Sequence, residues 1–139
     1  MTRTSVLIVL AGFFGAMAVA LSAWAAHGLA ASHGARAVAL VETASRYQLV
    51  RAVGMLSALA LYRLARQMTP TGGTAWLAHA AQLFAAGVIL FCGALYLLAF
   101  GGPAWLGMVA PVGGAALIAG WLALACGGIR AFGGPQSRG

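Results

Sequence analysis

Long apolar stretches alternate along this chain with short polar or turn-forming breaks. Residues 6–26 and 76–100 carry no Asp, Glu, Lys or Arg at all. A helix rises 1.5 Å per residue, so about 20 such residues cross a hydrocarbon layer about 30 Å thick. The pattern predicts four helices, at about residues 4–26, 35–66, 76–100 and 104–127, with the apolar heart of the second at 49–65. The breaks have chemical causes. HGLAASHGAR (27–36) and TPTGG (69–73) are rich in turn formers, and GGP (101–103) forces a tight corner. Nothing alternates with the period of a strand, so a small helical bundle is expected and not a barrel. The expected organisation is one membrane domain over residues 1–139, with residues 133–139 (GGPQSRG) a disordered tail.

Composition strengthens this reading. The chain is 63% hydrophobic and 6% charged, against about 25% charged residues in ordinary soluble domains, too few to cover a water-soluble globule. The first segment has a second identity to weigh. Arg3, an apolar run and then Ala23-Trp24-Ala25 resemble a secretory signal with an A-x-A cleavage site. The run is long for a signal, and retention as a first membrane helix is the expectation.

The formal net charge is +7, but the arginines are spread along the chain with no lysine among them. They gather at segment ends, where lipid headgroups lie, which excludes a nucleic-acid surface. Arg3, Arg63, Arg66 and Arg130 are expected to contact anionic headgroups. With Arg138 they fall on one side of a four-helix layout, against Arg36 on the other, with Arg46 and Arg51 at or inside the boundary. The positive-inside bias then puts both termini in the cytoplasm. Cys92 and Cys126 lack metal or redox spacing and read as small buried residues.

Close packing of helices in lipid relies on small residues. These occur four apart at Ala11 and Gly15, Gly12 and Ala16, Gly54 and Ala58, and Ala116 and Gly120. Pro111, followed by Gly113 and Gly114, is expected to bend the last helix, because proline removes one backbone hydrogen bond and crowds the preceding turn.

Chemistry concentrates in ETASRYQLVRAVGML (42–56). It holds Glu42, the chain's one acidic residue. Glu42 and Arg46 are four apart in the favourable order for a helix-surface pair. Tyr47, Gln48 and Arg51 form a second group, with Arg51 about 180° around the axis from Glu42. Arg51 and Arg63 are separated by about 16 Å of helix, roughly half the hydrocarbon thickness, so both cannot sit at interfaces without snorkelling. Arg51 is therefore expected to face the bundle interior or a lipid phosphate, with the carbonyl freed by Pro111, His79 or Gln82 as candidate acceptors. An ionisable residue inside the membrane is a functional-site candidate by default. The polar cluster accordingly comprises His27, Glu42, Arg46, Tyr47, Gln48 and Arg51. His27, His33, Glu42 and His79 are too scattered for the three or four ligands a metal needs. No nucleotide-binding, zinc-hydrolase or nucleophile-elbow motif occurs, and one acid cannot supply a carboxylate pair. No catalytic residue, metal or cofactor is expected.

The segments SAWAAHGL (22–29), ETASRYQ (42–48), LFCGALYLL (90–98) and PVGGAALIAGW (111–121), in this order and spacing, resemble the bacterial domain-of-unknown-function 423 family. These are small four-helix inner-membrane proteins related to a eukaryotic small transmembrane-protein family. The resemblance covers nearly the whole chain and implies an uncleaved first helix, with His27-Gly28 in the signature that closely follows it. It brings no activity with it. Where relatives commonly carry an aromatic residue and then His, this chain has Val50 and Arg51, and arginine does not titrate near neutral pH. A glycine-rich GAFGAHG run is here 22–28, SAWAAHG, and Ser-Gly-Ser is here Cys92-Gly93-Ala94.

The sequence thus leads to a non-enzymatic membrane protein in a structural, accessory or lipid-contacting role, whose partners are lipids and a second copy or another membrane protein. The alternative is a small dimeric transporter or channel, anion-preferring or proton-linked, using Glu42, Arg46, Arg51 and His27. Nothing in the sequence positively supports an enzyme on a lipid or quinone.

Overall fold

The computed structural model describes residues 2–68 and 73–133. Helix α1 (Arg3–Trp24) starts behind Thr2, whose side-chain oxygen accepts from the Ser5 N–H, satisfying one of the orphan donors of a first turn. It passes through one π-helical turn (Ala25–Leu29) into α2 (Ala30–Met68). The only residue of α2 outside helical geometry is Gly34, at φ 77° and ψ 172°. That conformation is open essentially to glycine alone. The chain reverses there, and α1 packs along the part of α2 beyond the break. After α3 (Thr74–Gly87), a second π turn (Val88–Cys92) leads into α4 (Gly93–Ala99). Gly101, at φ 81°, turns the corner, and α5 (Leu106–Phe132) closes the fold.

Three helical stretches, 3–68, 74–99 and 106–132, are long and apolar enough to cross a membrane. The break expected over residues 27–36 is much narrower than its composition suggests. Residues up to His33 stay helical, because alanine and leucine favour helix and one glycine is enough to end it. The predicted 69–73 turn, apart from Gly73, and the 133–139 tail, apart from Gly133, lie outside the described residues.

In the arrangement of elements, α2 packs on α3 and α4, and α3 packs on α5. Helices α1 and α5 lie on opposite flanks of the α2–α3 pair. The seam between α3 and α5 is built on glycine seats. Leu77 fills the space a Cβ on Gly127 would occupy, Phe84 that of Gly120, and the backbone of Phe91 that of Gly113. Gly54 of α2 flanks Phe84 on its other side, 3.1 Å from where its own Cβ would be, so the fully buried ring sits between two glycines. Lipid tails are as apolar as these side chains, and close packing therefore supplies the cohesion that water supplies elsewhere. The outer surface is correspondingly apolar. Val9, Phe13, Ile118, Leu122 and Ile129 are all exposed.

Helical geometry continues through Pro111, and α5 remains one element. Proline near the start of a long helix loses one bond of its ladder while the rest persists. Within this segment Gly113 closely approaches the backbone of Phe91, and Gly114 has only ordinary contact with that ring, at 3.8 Å.

Candidate functional site

Helix α2 distributes the polar cluster over three of its faces. Gln48 points inward and is fully buried. Its Nε2 donates to the Phe14 carbonyl of α1 at 2.7 Å, while its Oε1 is buried without a partner. Three residues earlier, Ser45 shares a hydrogen bond of 3.2 Å with the Tyr96 hydroxyl of α4. These two contacts tie α2 to α1 and to α4. A polar bond between helices is retained in lipid because no water competes for it.

On the side towards α5, Arg51 lies between two aromatic rings. Its guanidinium carbon is 5.0 Å from the Tyr47 ring centre and 5.6 Å from that of Trp121, both within cation–π range. Phe91 and Phe84 extend this wall, with ring centres 5.1 Å from Tyr47 and 5.0 Å from Trp121. Arg51 Nε is buried and donates to no partner among the described residues. Arg51 stands midway between Gly34 and Met68, with about 25 Å of helix on either side at 1.5 Å per residue. The interior orientation expected for Arg51 is found in part, since the residue is half-buried. The acceptors expected for it are not. His79 and Gln82 bond weakly to each other at 3.4 Å and line a separate groove with Arg3. Quadrupoles of aromatic faces serve in place of those acceptors.

The third face opens between α1 and α2, where a groove of about 550 Å³ is lined by Ala18, Val19, Ser22, Glu42, Arg46 and Leu49 among others. Glu42 and Arg46 are both exposed, and among the described residues no ion pair joins them. An exposed pair gains at most about 1 kcal/mol, which fixing two long side chains offsets. The expected pairing is therefore replaced by two separate charges facing one groove. His27 is exposed on the π turn, apart from all three groups.

Sequence reasoning missed Trp121 and Tyr96 as partners of the cluster. Both lie in quoted segments, but contact across helices leaves no trace in local spacing. Cys92 is buried as expected, whereas Cys126 is exposed on α5, beside Trp76 and His79. Among the basic residues, Arg3 and Arg63 are exposed, Arg66 lies over Tyr62 at 5.8 Å and Arg130 over Trp76 at 5.3 Å. The antiparallel packing gathers these four at one end of the molecule.

Apolar helices of this length, with their backbone bonds made within each helix, and an apolar outer surface define an all-α integral membrane protein. A family model described as a protein of unknown function (DUF423) matches residues 21–114. The chain is 34% identical over 125 residues to the UPF0382 membrane protein of Haemophilus influenzae, covering 89% of this chain and 91% of that one. It is 31% identical to the UPF0382 inner membrane protein YgdD of Escherichia coli, covering 89% of each, and 29% identical to the UPF0382 membrane protein YwdK of Bacillus subtilis, covering 90% of this chain and 97% of that one. No solved structure matches. The chain belongs to the DUF423/UPF0382 family of small bacterial membrane proteins, and is a multi-pass helical protein of the inner membrane.

Proposed function

We propose that this protein is a non-enzymatic bundle of four membrane-spanning helices that works through its lipid contacts and its helix faces, in a structural or accessory role. The four-span reading is supported by the reversal at Gly34, which divides the first helical stretch into two antiparallel halves. Arg3, Arg63, Arg66 and Arg130 meet anionic headgroups on the cytoplasmic side, where both termini lie. A second copy or another membrane protein covers part of the exposed apolar surface. The observation that carries the reading is the division of the polar cluster. Gln48 and Ser45 are occupied in helix–helix ties, Arg51 is held by aromatic rings, and Glu42 and Arg46 open sideways between α1 and α2. A transport path needs such groups to line one cavity.

A second reading, an anion-preferring carrier, is favoured by the buried, unpartnered Nε of Arg51. Flux of chloride, nitrate and phosphate into proteoliposomes separates the two. The bundle reading predicts wild-type flux equal to that of protein-free vesicles. Flux that the wild type supports and Arg51→Gln abolishes, with the variant still folded, would establish the carrier.

A further inference from the structure

We propose that the groove between α1 and α2 binds the headgroup of a phospholipid carrying a primary ammonium beyond its phosphate, the phosphatidylethanolamine type. The proposal rests on the lipid-contacting reading above and gives it a specific site.

The groove brings together unlike charges that do not neutralise each other. Glu42 is the one acidic residue of the chain, and both it and Arg46 line the groove with no ion pair between them among the described residues. They stand one helical turn apart, about 6 Å along the axis. Their order matters. Along α2 from the Gly34 end come Glu42, then Arg46, then Leu49, so a negative group lies outermost, a positive group deeper and an apolar wall deeper still. A bilayer lipid entering from the same face presents the complementary order: ammonium outermost, phosphate beneath it and acyl chains inward. The α1 wall opposite is made of Ala18, Val19 and Ser22. These small side chains leave the groove its volume of about 550 Å³, and Val19 and Leu49 offer acyl chains an apolar surface.

Each pairing has its chemistry. The guanidinium donates in parallel to two phosphate oxygens. The carboxylate accepts from the ammonium N–H groups, and headgroup depth removes enough water to strengthen both contacts. A phosphatidylglycerol headgroup meets Arg46 equally well but sets neutral hydroxyls against Glu42. A phosphatidylcholine headgroup has the charge but no N–H to donate. The site therefore separates headgroups by what they place on Glu42.

The test uses the full-length protein in nanodiscs containing equal amounts of the three lipids with matched acyl chains, released for native mass spectrometry. Wild type is expected to retain phosphatidylethanolamine about tenfold over phosphatidylglycerol, as one charge-assisted hydrogen bond provides, and over phosphatidylcholine likewise. Glu42→Gln brings the ethanolamine-to-glycerol ratio to parity, and Arg46→Gln lowers retention of all three. Equal retention of the three by the wild type overturns the headgroup assignment but leaves lipid contact standing, and this comparison needs no variant to fold. Retention of no lipid overturns both. An unchanged preference in folded Glu42→Gln removes the site from this groove.

Discussion

At the scale of single residues, what a buried polar group costs depends on what it leaves unpaired. Gln48 gains one bond to Phe14 and carries one orphan oxygen. The Phe14 carbonyl belongs to a continuous helix and keeps its own ladder bond when the glutamine is removed. Hydrogen bonds between helices in lipid average about 0.6 kcal/mol. Gln48→Leu, which fills nearly the same space and eliminates the orphan, is therefore expected to change stability by less than about 1 kcal/mol. Gln48→Ala leaves a void between α1 and α2 and is expected to cost about 2 kcal/mol or more. Unfolding in mixed micelles with increasing dodecyl sulfate measures both. Equal losses for leucine and alanine would mean that the hydrogen bond, and not the packing, holds this contact. Arg51 follows a different rule, because its charge cannot be removed by titration. It has to be housed, and the rings of Tyr47 and Trp121 provide that housing.

At the scale of elements, the glycines divide into seats and spacers. A Cβ on Gly120 would stand 2.8 Å from the ring of Phe84, which Gly54 confines from the far side. The ring cannot yield, and Gly120→Ala is expected to cost about 2 kcal/mol or more, in the range of core overpacking. Gly12 of α1 has nothing within 4 Å of the equivalent position. Gly12→Ala is thus expected to be neutral or to stabilise by up to about 1 kcal/mol through helix propensity. The same micelle unfolding assay ranks the pair, and equal effects would dismiss the seat. The helices themselves were plain from apolar run length, since the hydrocarbon thickness dictates it. The seam between α3 and α5 was legible too, though in another register. Leu77, Phe84 and Phe91 recur every seven residues, as do Gly113, Gly120 and Gly127, so large and small residues meet along two antiparallel stripes. A four-residue search finds Gly54 and Gly120 but cannot find their common guest. The break at Gly34 and the fate of Arg51 were less legible. Nothing distinguishes Gly34 from Gly28 by composition, and the Arg51–Trp121 contact joins residues 70 positions apart through tertiary packing alone.

At the scale of the molecule, the fold converts scattered arginines into an asymmetric charge distribution. Arg3 shares a groove with Tyr62 and Thr74, Arg66 lies over Tyr62, and Arg130 lies over Trp76. All of these belong to the end away from Gly34 and Gly101. The opposite end carries Arg36, in a groove with His33 and Gly102. Arginines near the ends of membrane helices stay on the cytoplasmic side during insertion, and anionic lipids of that leaflet add about 1 kcal/mol per basic residue near the surface. The arginine-rich end, which carries the start of α1 and the end of α5, is therefore expected inside the cell. A fluorescent protein fused after the last residue should fold and fluoresce. Alkaline phosphatase fused at the same point should be inactive, and fused after Gly34 it should be active. The reverse pattern would invert the molecule, placing Glu42 and Arg46 in the cytoplasmic leaflet, while phosphatase activity at both sites or at neither would change the number of spans. The lipid groove is indifferent to the first outcome, since its order of charges is set by depth from the Gly34 end. It depends on the second, because an α2 that did not span would hold Glu42 and Arg46 at one level of the interface and lose the match to a headgroup stacked above its own acyl chains.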